Sequence, residues 1–477
     1  MAFVLIFFPL AMAGLALLVP SNRLRPLLLP IAALVHSGGT FAVLARPELG
    51  RPTEWLALDP VGRIILLSVS VLYLLCSFYA VGYLESRRER SNRFFTACLL
   101  GFLGLVSLAI WSHNLGLMWV AIEGTTLMTA PLVYFNHSPR SIEATWKYLL
   151  VGSVGIALAL LGTFFLAYSS LRGGLAATLS FDELLRNAPG MSKVWLRASF
   201  ILLLVGYGTK MGLAPMHTWK PDAYGEAPGL VGAIFAGGVT SGAFLALLRI
   251  TQICAAAGES AFTGRLLVFM GLFSMAVAGV FMASQRDFKR MLAYSSIEHM
   301  GILTLGIGIG GPALFGTLLH VLTNGMTKGA LFLSAGNIQR AFASKNTDQV
   351  RGALRRVPLS ASLFLAGFLA ITGSPPFGPF ISEFAILTAA FAEGHFIAGG
   401  IFLALLLVVF IGMGITVLKV TQGRVPDDLA GSDYRETLMT VAPTLAFMAL
   451  ALLLGVYLPA PLRNMLDEAV AFLENRS

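Results

Sequence analysis

The sequence predicts an all-α, polytopic membrane protein of about fourteen transmembrane helices, and three observations lead there. Hydrophobic residues make up 56% of the 477 and charged residues 12%, with a mean hydropathy of +0.79. A soluble globular chain averages about 45–50% apolar and about 25% charged residues. Apolar runs of spanning length recur from end to end, joined by short polar or basic connections. Two of these runs are interrupted by Gly and Pro, the pattern of broken helices inside a helical membrane bundle.

The runs fall at residues 2–19, 27–45, 61–84, 94–112, 114–135, 144–169, 196–214, 229–251, 262–284, 291–309, 312–336, 358–392, 395–421 and 437–458. Most approach the roughly 20 apolar residues that a hydrocarbon core requires. The first, MAFVLIFFPLAMAGLALLVP, lacks the basic n-region of a signal peptide and is read as a retained helix. The fourth and fifth are divided only by Ser112, His113 and Asn114. The seventh breaks at Gly212 and Pro215, and the twelfth carries TGSPPFGPF, in which Pro375, Pro376 and Pro379 cannot sustain a helical ladder. Non-helical backbone at membrane depth persists only inside protein or beside water, so both breaks should line a cavity.

Lying five helices apart, the breaks point to two inverted five-helix repeats, residues 94–251 and 262–421. A three-helix segment (1–93) precedes them, and a C-terminal helix with an amphipathic tail (437–477) follows. LSFDELLRNAP and PLRNMLDEAVAFLEN read as interfacial helices, and no long helical extension is expected after the last span.

The net charge of +9 has a membrane explanation. Loops after odd-numbered helices hold Arg23, Arg25, Arg87, Arg88, Arg90, Arg93, Arg140, Lys220, Lys289, Arg290, Arg355 and Arg356 among others, against chiefly Arg46, Arg51, Arg172, Arg186, Lys193 and Arg265 after even-numbered ones. The positive-inside rule then places both termini outside, on the periplasmic face of a bacterial inner membrane. No basic stretch is interleaved with exposed aromatics, so nucleic acid is not an expected partner. Cys76, Cys98 and Cys254 lie far apart without a CxxC, which excludes a protein-held iron–sulfur cluster and argues against a zinc site. No cofactor or metal is expected in this chain, and any redox step belongs to a partner.

Charges within the spans carry the functional reading. Lys210 stands about fourteen residues into the seventh helix, where a charge costs roughly 2.5–3.5 kcal/mol on insertion scales. Glu123 stands mid-way along the fifth. Burial opposes either charge alone and a close pair sustains both, so a Glu123–Lys210 pair that opens and closes would switch protons. A packing hydrogen bond for Glu123 and snorkelling for Lys210 are the plainer readings. His217, just past the break, is either a proton carrier or a satisfied loop residue. Lys220, Asp222 and Glu226 read as interfacial and solvated, and Glu143 and Lys147 as a surface i, i+4 pair.

On the eleventh helix His320, Asn324 and Lys328 recur at i, i+4 and i+8, a polar stripe of about 12 Å that is a candidate proton wire. Thr323 and Thr327 beside it suit interhelical hydrogen bonds. Glu383, after the second break, reads as the counterpart of Lys210 facing a hydrated half-channel. Glu298 and His299, about one to two turns into the tenth helix, are either an inlet pair or cap residues.

These stretches resemble a known family. GTKMGLAPMHTWKPDAYGEAP is similar to the K-x-x-x-x-P-x-H-x-W-L-P-D-A-H-x-x-A-P signature of the antiporter-like subunits of respiratory complex I, the Mrp cation/proton antiporters and the membrane-bound hydrogenases. KRMLAYSSIEHMGI, HVLTNGMTKGALFLSAGNI and GSPPFGPFISEF resemble its later motifs in the same order. The SSIEHMG form and the absence of a lateral-helix extension are most similar to the hydrogenase-4 component F branch. The resemblance implies a hydrated polar axis at mid-membrane, with Glu123, Lys210 and Glu383 as its acid, lysine and distal acid, and His320 and Lys328 in the pattern H-x-x-x-H-x-x-x-K.

The departures are specific. Asn324 replaces the second histidine of that pattern, Tyr224 the loop histidine and Lys220 a leucine. Where many relatives carry an eighth-helix lysine, this chain offers Thr240 or Ser241, hydroxyls that can pass a proton but not store one at pH 7. The resemblance implies a proton-translocating subunit of a hydrogenase-4/formate hydrogenlyase-like or complex I-like assembly, moving protons or sodium. Nickel–iron and iron–sulfur centres would then belong to its membrane and peripheral partner subunits. A Mrp-like cation/proton antiporter subunit, a proton-motive-force-coupling subunit of an inorganic-carbon uptake complex, and a scaffold without transport are the other readings.

Overall fold

A computed structural model describes residues 1–50, 52–87, 89–426 and 432–474. Arg51 and Arg88, two of the loop arginines above, lie outside the described residues. Eleven helical segments among the described residues are long and apolar enough to cross a membrane, and three shorter apolar helices accompany them. The extended backbone forms only isolated bridges among the described residues, Leu56 with Ser112, Asn114 with Ser180 and Asp287 with Asn346. The chain is a polytopic all-α membrane protein.

The N-terminal segment comprises α1 (Ala2–Leu18), α2 (Leu28–Ala45) and α3 (Pro60–Glu85). Asp59 caps α3 by accepting from the Gly62 amide at 2.6 Å, satisfying a donor that a helix start leaves open. The soft boundary at residues 112–114 is a true break between α4 (Arg93–Trp111) and α5 (Leu115–Val133). Asn114 caps α5 by accepting from Gly116 and Leu117 amides at 2.9 and 3.2 Å.

In the middle of the first half, α6 (Pro139–Arg172) lies along α8 (Lys193–Met211), with the short α7 (Phe181–Asn187) at the bundle end. A Cβ on Gly155 would come within 2.6 Å of Thr209, and one on Gly206 within 2.6 Å of Ala159. Small residues thus let these two backbones approach, the usual basis of helix association where lipid supplies no hydrophobic drive.

Both interrupted helices end in the same way. At the end of α8, Gly212 takes a left-handed φ of 78°, with Leu213 N donating to Gly208 O at 2.8 Å and Gly212 N to Thr209 O at 3.1 Å. At the end of α16 (Pro358–Ile371), Gly373 takes φ 69°, with Ser374 N donating to Leu369 O at 3.0 Å and Gly373 N to Ala370 O at 3.3 Å. This pair of bonds is the Schellman closure, which a left-handed glycine makes possible. Cis peptide bonds follow at Ala214–Pro215 and Pro375–Pro376.

Beyond the first break run α9 (Trp219–Glu226) and α10 (Gly229–Ile234), which continues through a π turn at Phe235–Val239 into α11 (Thr240–Ala256). The second half contains α12 (Ser260–Met282), α13 (Phe288–Ile309), α14 (Ala313–Phe342), the short α15 (Ala353–Arg356), then α16, α17 (Gly378–Ala392) and α18 (Phe396–Thr421). The central helix is α14, packed against α3, α10, α13, α16, α17 and α19 (Leu438–Val456). The amphipathic α20 (Ala460–Glu474) lies against α3 and α14 with Leu466, Ala469 and Leu473 buried.

One buried ion pair escapes the sequence reading. Arg249 of α11 donates through Nε and Nη2 to Asp59 Oδ2 at 3.0 and 2.7 Å. Its Nη1 donates to Ser112 O at 2.6 Å. The fork ties the first half to the start of α3, with side-chain exposures of 2% and 4%.

Candidate functional site

The break after Met211 leaves Lys210 in the last turn of α8, where the helix C-terminus favours a cation. Its Nζ donates to Glu123 Oε2 at 2.8 Å and to Thr126 Oγ1 at 2.5 Å. Lys210 is 1% exposed and the Glu123 side chain 18%. Gly152 of α6 makes room for the ammonium, since a Cβ there would lie 3.1 Å from Nζ. Two residues 87 positions apart, on α5 and α8, are brought into the pair their spacing alone could not fix.

A second polar cluster fills the space between α13, α14 and α17. Lys328 Nζ donates to Ser295 Oγ at 2.6 Å, and the Ser295 hydroxyl is 3.4 Å from Glu298 Oε2. Glu298 Oε2 lies 3.8 Å from His299 Nε2. His299 Nδ1 and His320 Nε2 share a hydrogen bond of 3.0 Å, and His320 Nδ1 is 2.8 Å from Ser382 Oγ. Ser382 donates to Pro379 O at 2.9 Å, so its oxygen accepts from His320 Nδ1–H. The two rings thus share one proton in their common bond, and His299 Nε2 stands beside Glu298.

Glu383 Oε1 lies 4.0 Å from His299 Nδ1. All of these side chains are nine-tenths or more buried. Among the described residues, Asn324 Oδ1 and Glu383 Oε1 here make no hydrogen bond to a protein partner. Buried groups of this kind ordinarily take water as partner.

Several expectations need correction. Lys220 is not solvated: it is fully buried and donates from Nζ to Met211 O at 2.6 Å. The break turns α9 inward, so the lysine meets the open carbonyl end of α8. Asp222 and Glu226 stay part-exposed but are tied down, Asp222 to Lys147 at 2.9 Å and Arg290 at 2.8 Å, Glu226 to Lys345 at 2.7 Å. Glu143 and Lys147 form their i, i+4 pair at 2.6 Å.

Glu298 and His299 are not near a helix start. Asp287 caps α13 by accepting from Lys289 and Arg290 amides at 2.9 and 3.1 Å, so the helix begins earlier and both residues stand about 15 Å along it. Glu383 is no register counterpart of Lys210. Lys210 precedes its left-handed glycine by two positions, whereas Glu383 follows Gly373 by ten.

The remaining candidates are Ser241, His217 and Asn324. Ser241 donates back to Gly237 O of its own helix at 2.9 Å, and Thr240 to Ala236 O at 2.8 Å. His217 packs near Phe281 and Tyr294, beside the backbone of Pro215. Asn324 lies on the stripe with His320 and Lys328 but its Oδ1 has no protein partner. His299, His320 and Glu383 place three donor atoms within 4.8 Å of one another, although two of the three share a hydrogen bond, and no metal is assigned to them.

Gly373 guards the position of Glu383, because a Cβ there would run into its carboxylate. Gly373→Ala is therefore expected to displace Glu383 and impair transport. Gly394→Ala, at φ 78° with nothing within 4 Å, should cost only the backbone term of about 1–2 kcal/mol. Comparing the two variants for thermal stability and ion transport separates the effects.

The sequence pattern described as NADH:quinone oxidoreductase/Mrp antiporter, transmembrane, matches residues 112–412, a span that contains both breaks and both clusters. The chain belongs to this family. As a member of the NADH:quinone oxidoreductase/Mrp antiporter family it is an antiporter-like membrane subunit. A hydrogenase-4 component F homolog of Methylacidiphilum infernorum (isolate V4) is 33% identical over 465 residues, covering 95% of this chain and 96% of that one.

The NADH-quinone oxidoreductase subunit N of Desulforudis audaxviator (strain MP104C) is 30% identical over 354 residues, covering 73% and 69%. Among solved structures, a chain of the Mrp complex from Dietzia sp. DQ12-45-1b shares the fold with a TM-score of 0.88 at 20% identity, covering 99% and 97%. These similar proteins come from families of multisubunit membrane complexes, and this family member is a subunit of that kind.

Proposed function

We propose that this chain translocates protons as a subunit of a membrane-bound redox complex of the hydrogenase-4 or complex I type. The observation that carries the reading is a pair of polar clusters inside the bundle, Glu123–Lys210–Thr126 in one half and Lys328–Ser295–Glu298–His299–His320 with Glu383 in the other. Buried ionisable groups inside a membrane protein mark ion paths. Histidine, carboxylate and lysine are the side chains that can hold a proton and release it. Opening of the Glu123–Lys210 pair changes which charge is sustained, and so gates proton movement along the axis.

The two halves are inverted repeats at residues 94–251 and 262–421, a reading supported by the matching closures at Gly212 and Gly373. The basic loops favour a bacterial inner membrane with both termini outside. Nickel–iron and iron–sulfur centres belong to the partner subunits, in keeping with the similarity to a hydrogenase-4 component F homolog. Glu383→Gln keeps the shape and removes the titratable group. In inverted vesicles holding the assembled complex, it should cut proton uptake through this chain about 100-fold while uncoupled turnover persists, in sodium-free buffer as in sodium. Undiminished proton uptake by Glu383→Gln, or uptake that needs sodium, would contradict the reading.

A further inference from the structure

We infer that Lys220, on the arm beyond the first break, is the proton-exchanging group that joins the two clusters and takes the place of an eighth-helix side chain. The inference rests on the proposed proton translocation. It starts from a gap: neither Thr240 nor Ser241 reaches out of its helix, since each hydroxyl donates to a carbonyl four residues back. The eighth-helix position therefore offers no group that stores a proton, and no hydroxyl committed to one of its neighbours on the axis.

Lys220 has what that position lacks. Its Nζ sits between the halves, donating to Met211 O, one residue beyond Lys210, at 2.6 Å and lying 3.4 Å from Ser296 O in the second half. Ser296 adjoins Ser295, the hydroxyl that joins Lys328 to Glu298. No carboxylate pairs with this lysine among the described residues; the charged and titratable groups whose fields reach it are Lys328, His299 and His217, all cationic when protonated. A buried ammonium held by two carbonyls and no anion is poised to give up its proton, whereas a structural lysine is normally paired. The Tyr224 ring lies 5.6 Å from Nζ, and the Tyr224 hydroxyl faces that of Ser296.

The fold is built around this side chain. A Cβ on Gly212 would lie 2.5 Å from Lys220 Cδ and 3.2 Å from Nζ, so the glycine that closes α8 also admits the lysine. Lys220 follows Gly212 by eight positions, and Glu383 follows Gly373 by ten. Each break thus sends an ionisable side chain inward from its distal arm. The α9 arm is tied to both halves in its first turn, since Asp222 pairs with Lys147 of α6 and with Arg290 of α13. An arm anchored to both halves and carrying a buried lysine can report a change in either one to the other.

The test uses inverted vesicles containing the assembled complex, with Lys220→Arg, Lys220→Gln and Lys220→His compared for complex content, turnover with an ionophore, and proton uptake. Arginine keeps the charge and cannot release it, and glutamine keeps hydrogen bonding without charge. Both should lower proton uptake through this chain about 100-fold, with ionophore-stimulated turnover retained. Histidine should restore part of it with an optimum at lower pH, as its usual pKa of about 6.5 against about 10.4 for lysine requires. Ser241→Ala should stay within about twofold of the original, since a hydroxyl bonded within its own helix moves no proton.

Full uptake by the arginine or glutamine variant, or failure of histidine to exceed them, overturns the inference, as does a loss in Ser241→Ala equal to theirs. Lys210→Ala run alongside separates the two levels. If it abolishes uptake while Lys220 variants pump normally, only the role of Lys220 falls. If Lys210→Ala pumps normally, the proposed translocation falls and this inference with it.

Discussion

Lys210→Ala is expected to leave an assembled complex whose proton uptake through this chain falls by about 100-fold or more, the scale of a positioned proton-transfer group. The substitution removes the donor at 2.8 Å from Glu123 and at 2.5 Å from Thr126. Breaking a buried pair by deleting one partner costs about 3–5 kcal/mol when the other charge is fully enclosed. Glu123 keeps 18% side-chain exposure and can be hydrated, so folding should survive while the switch is lost. Glu123→Gln should lose uptake to a comparable degree. Because the two act as a unit, the double variant should be little worse than either single one. Losses that multiply in the double variant would show that they work separately.

Asp59→Ala is expected to be the most destabilising of the substitutions considered, by about 3–5 kcal/mol for the orphaned guanidinium with about 1 kcal/mol more for the lost cap. Arg249 is 2% exposed, and its remaining acceptors are the carbonyls of Ser112 and Ile110 and the Met118 sulfur, which do not neutralise it. The measurement is the yield and unfolding midpoint of the detergent-solubilised protein. Combining Asp59→Leu with Arg249→Met should recover much of the loss, because a buried pair replaced by apolar groups of similar volume is often neutral. A double variant as unstable as Asp59→Ala would place the stabilisation elsewhere, in the cap or in the aromatic contact of Arg249 with Phe181.

The helices were legible because lipid leaves few options: spanning runs must be apolar, continuous and about 20 residues long. The predicted run 61–84 meets α3 at Pro60–Glu85, and 395–421 meets α18 at Phe396–Thr421. Glu123 and Lys210 were legible for the same reason, since a charge in an apolar run stands out. Lys220 was not. It follows the break in a short polar stretch with Asp222 and Glu226, and only the turn of the chain at Gly212 decides that it points inward while they pair at the rim.

Glu298 was misplaced by a few residues because the start of α13 is set by Asp287, a cap lying ahead of two basic residues that look like loop. The Asp59–Arg249 fork joins residues 190 positions apart, and no periodicity records such a contact. Two signals were available for Lys220: a lysine where the family signature has leucine, and a missing lysine on the next helix.

The central claim is that protons cross within this chain between the Glu123–Lys210 pair and Glu383. The most direct measurement is the number of protons taken up per turnover by liposomes containing the purified complex, with and without Lys210→Ala and Glu383→Gln together. The account predicts that the doubly substituted complex turns over when an ionophore is present yet takes up fewer protons per turnover, the deficit being this chain's share. An unchanged ratio of protons to turnovers would contradict it.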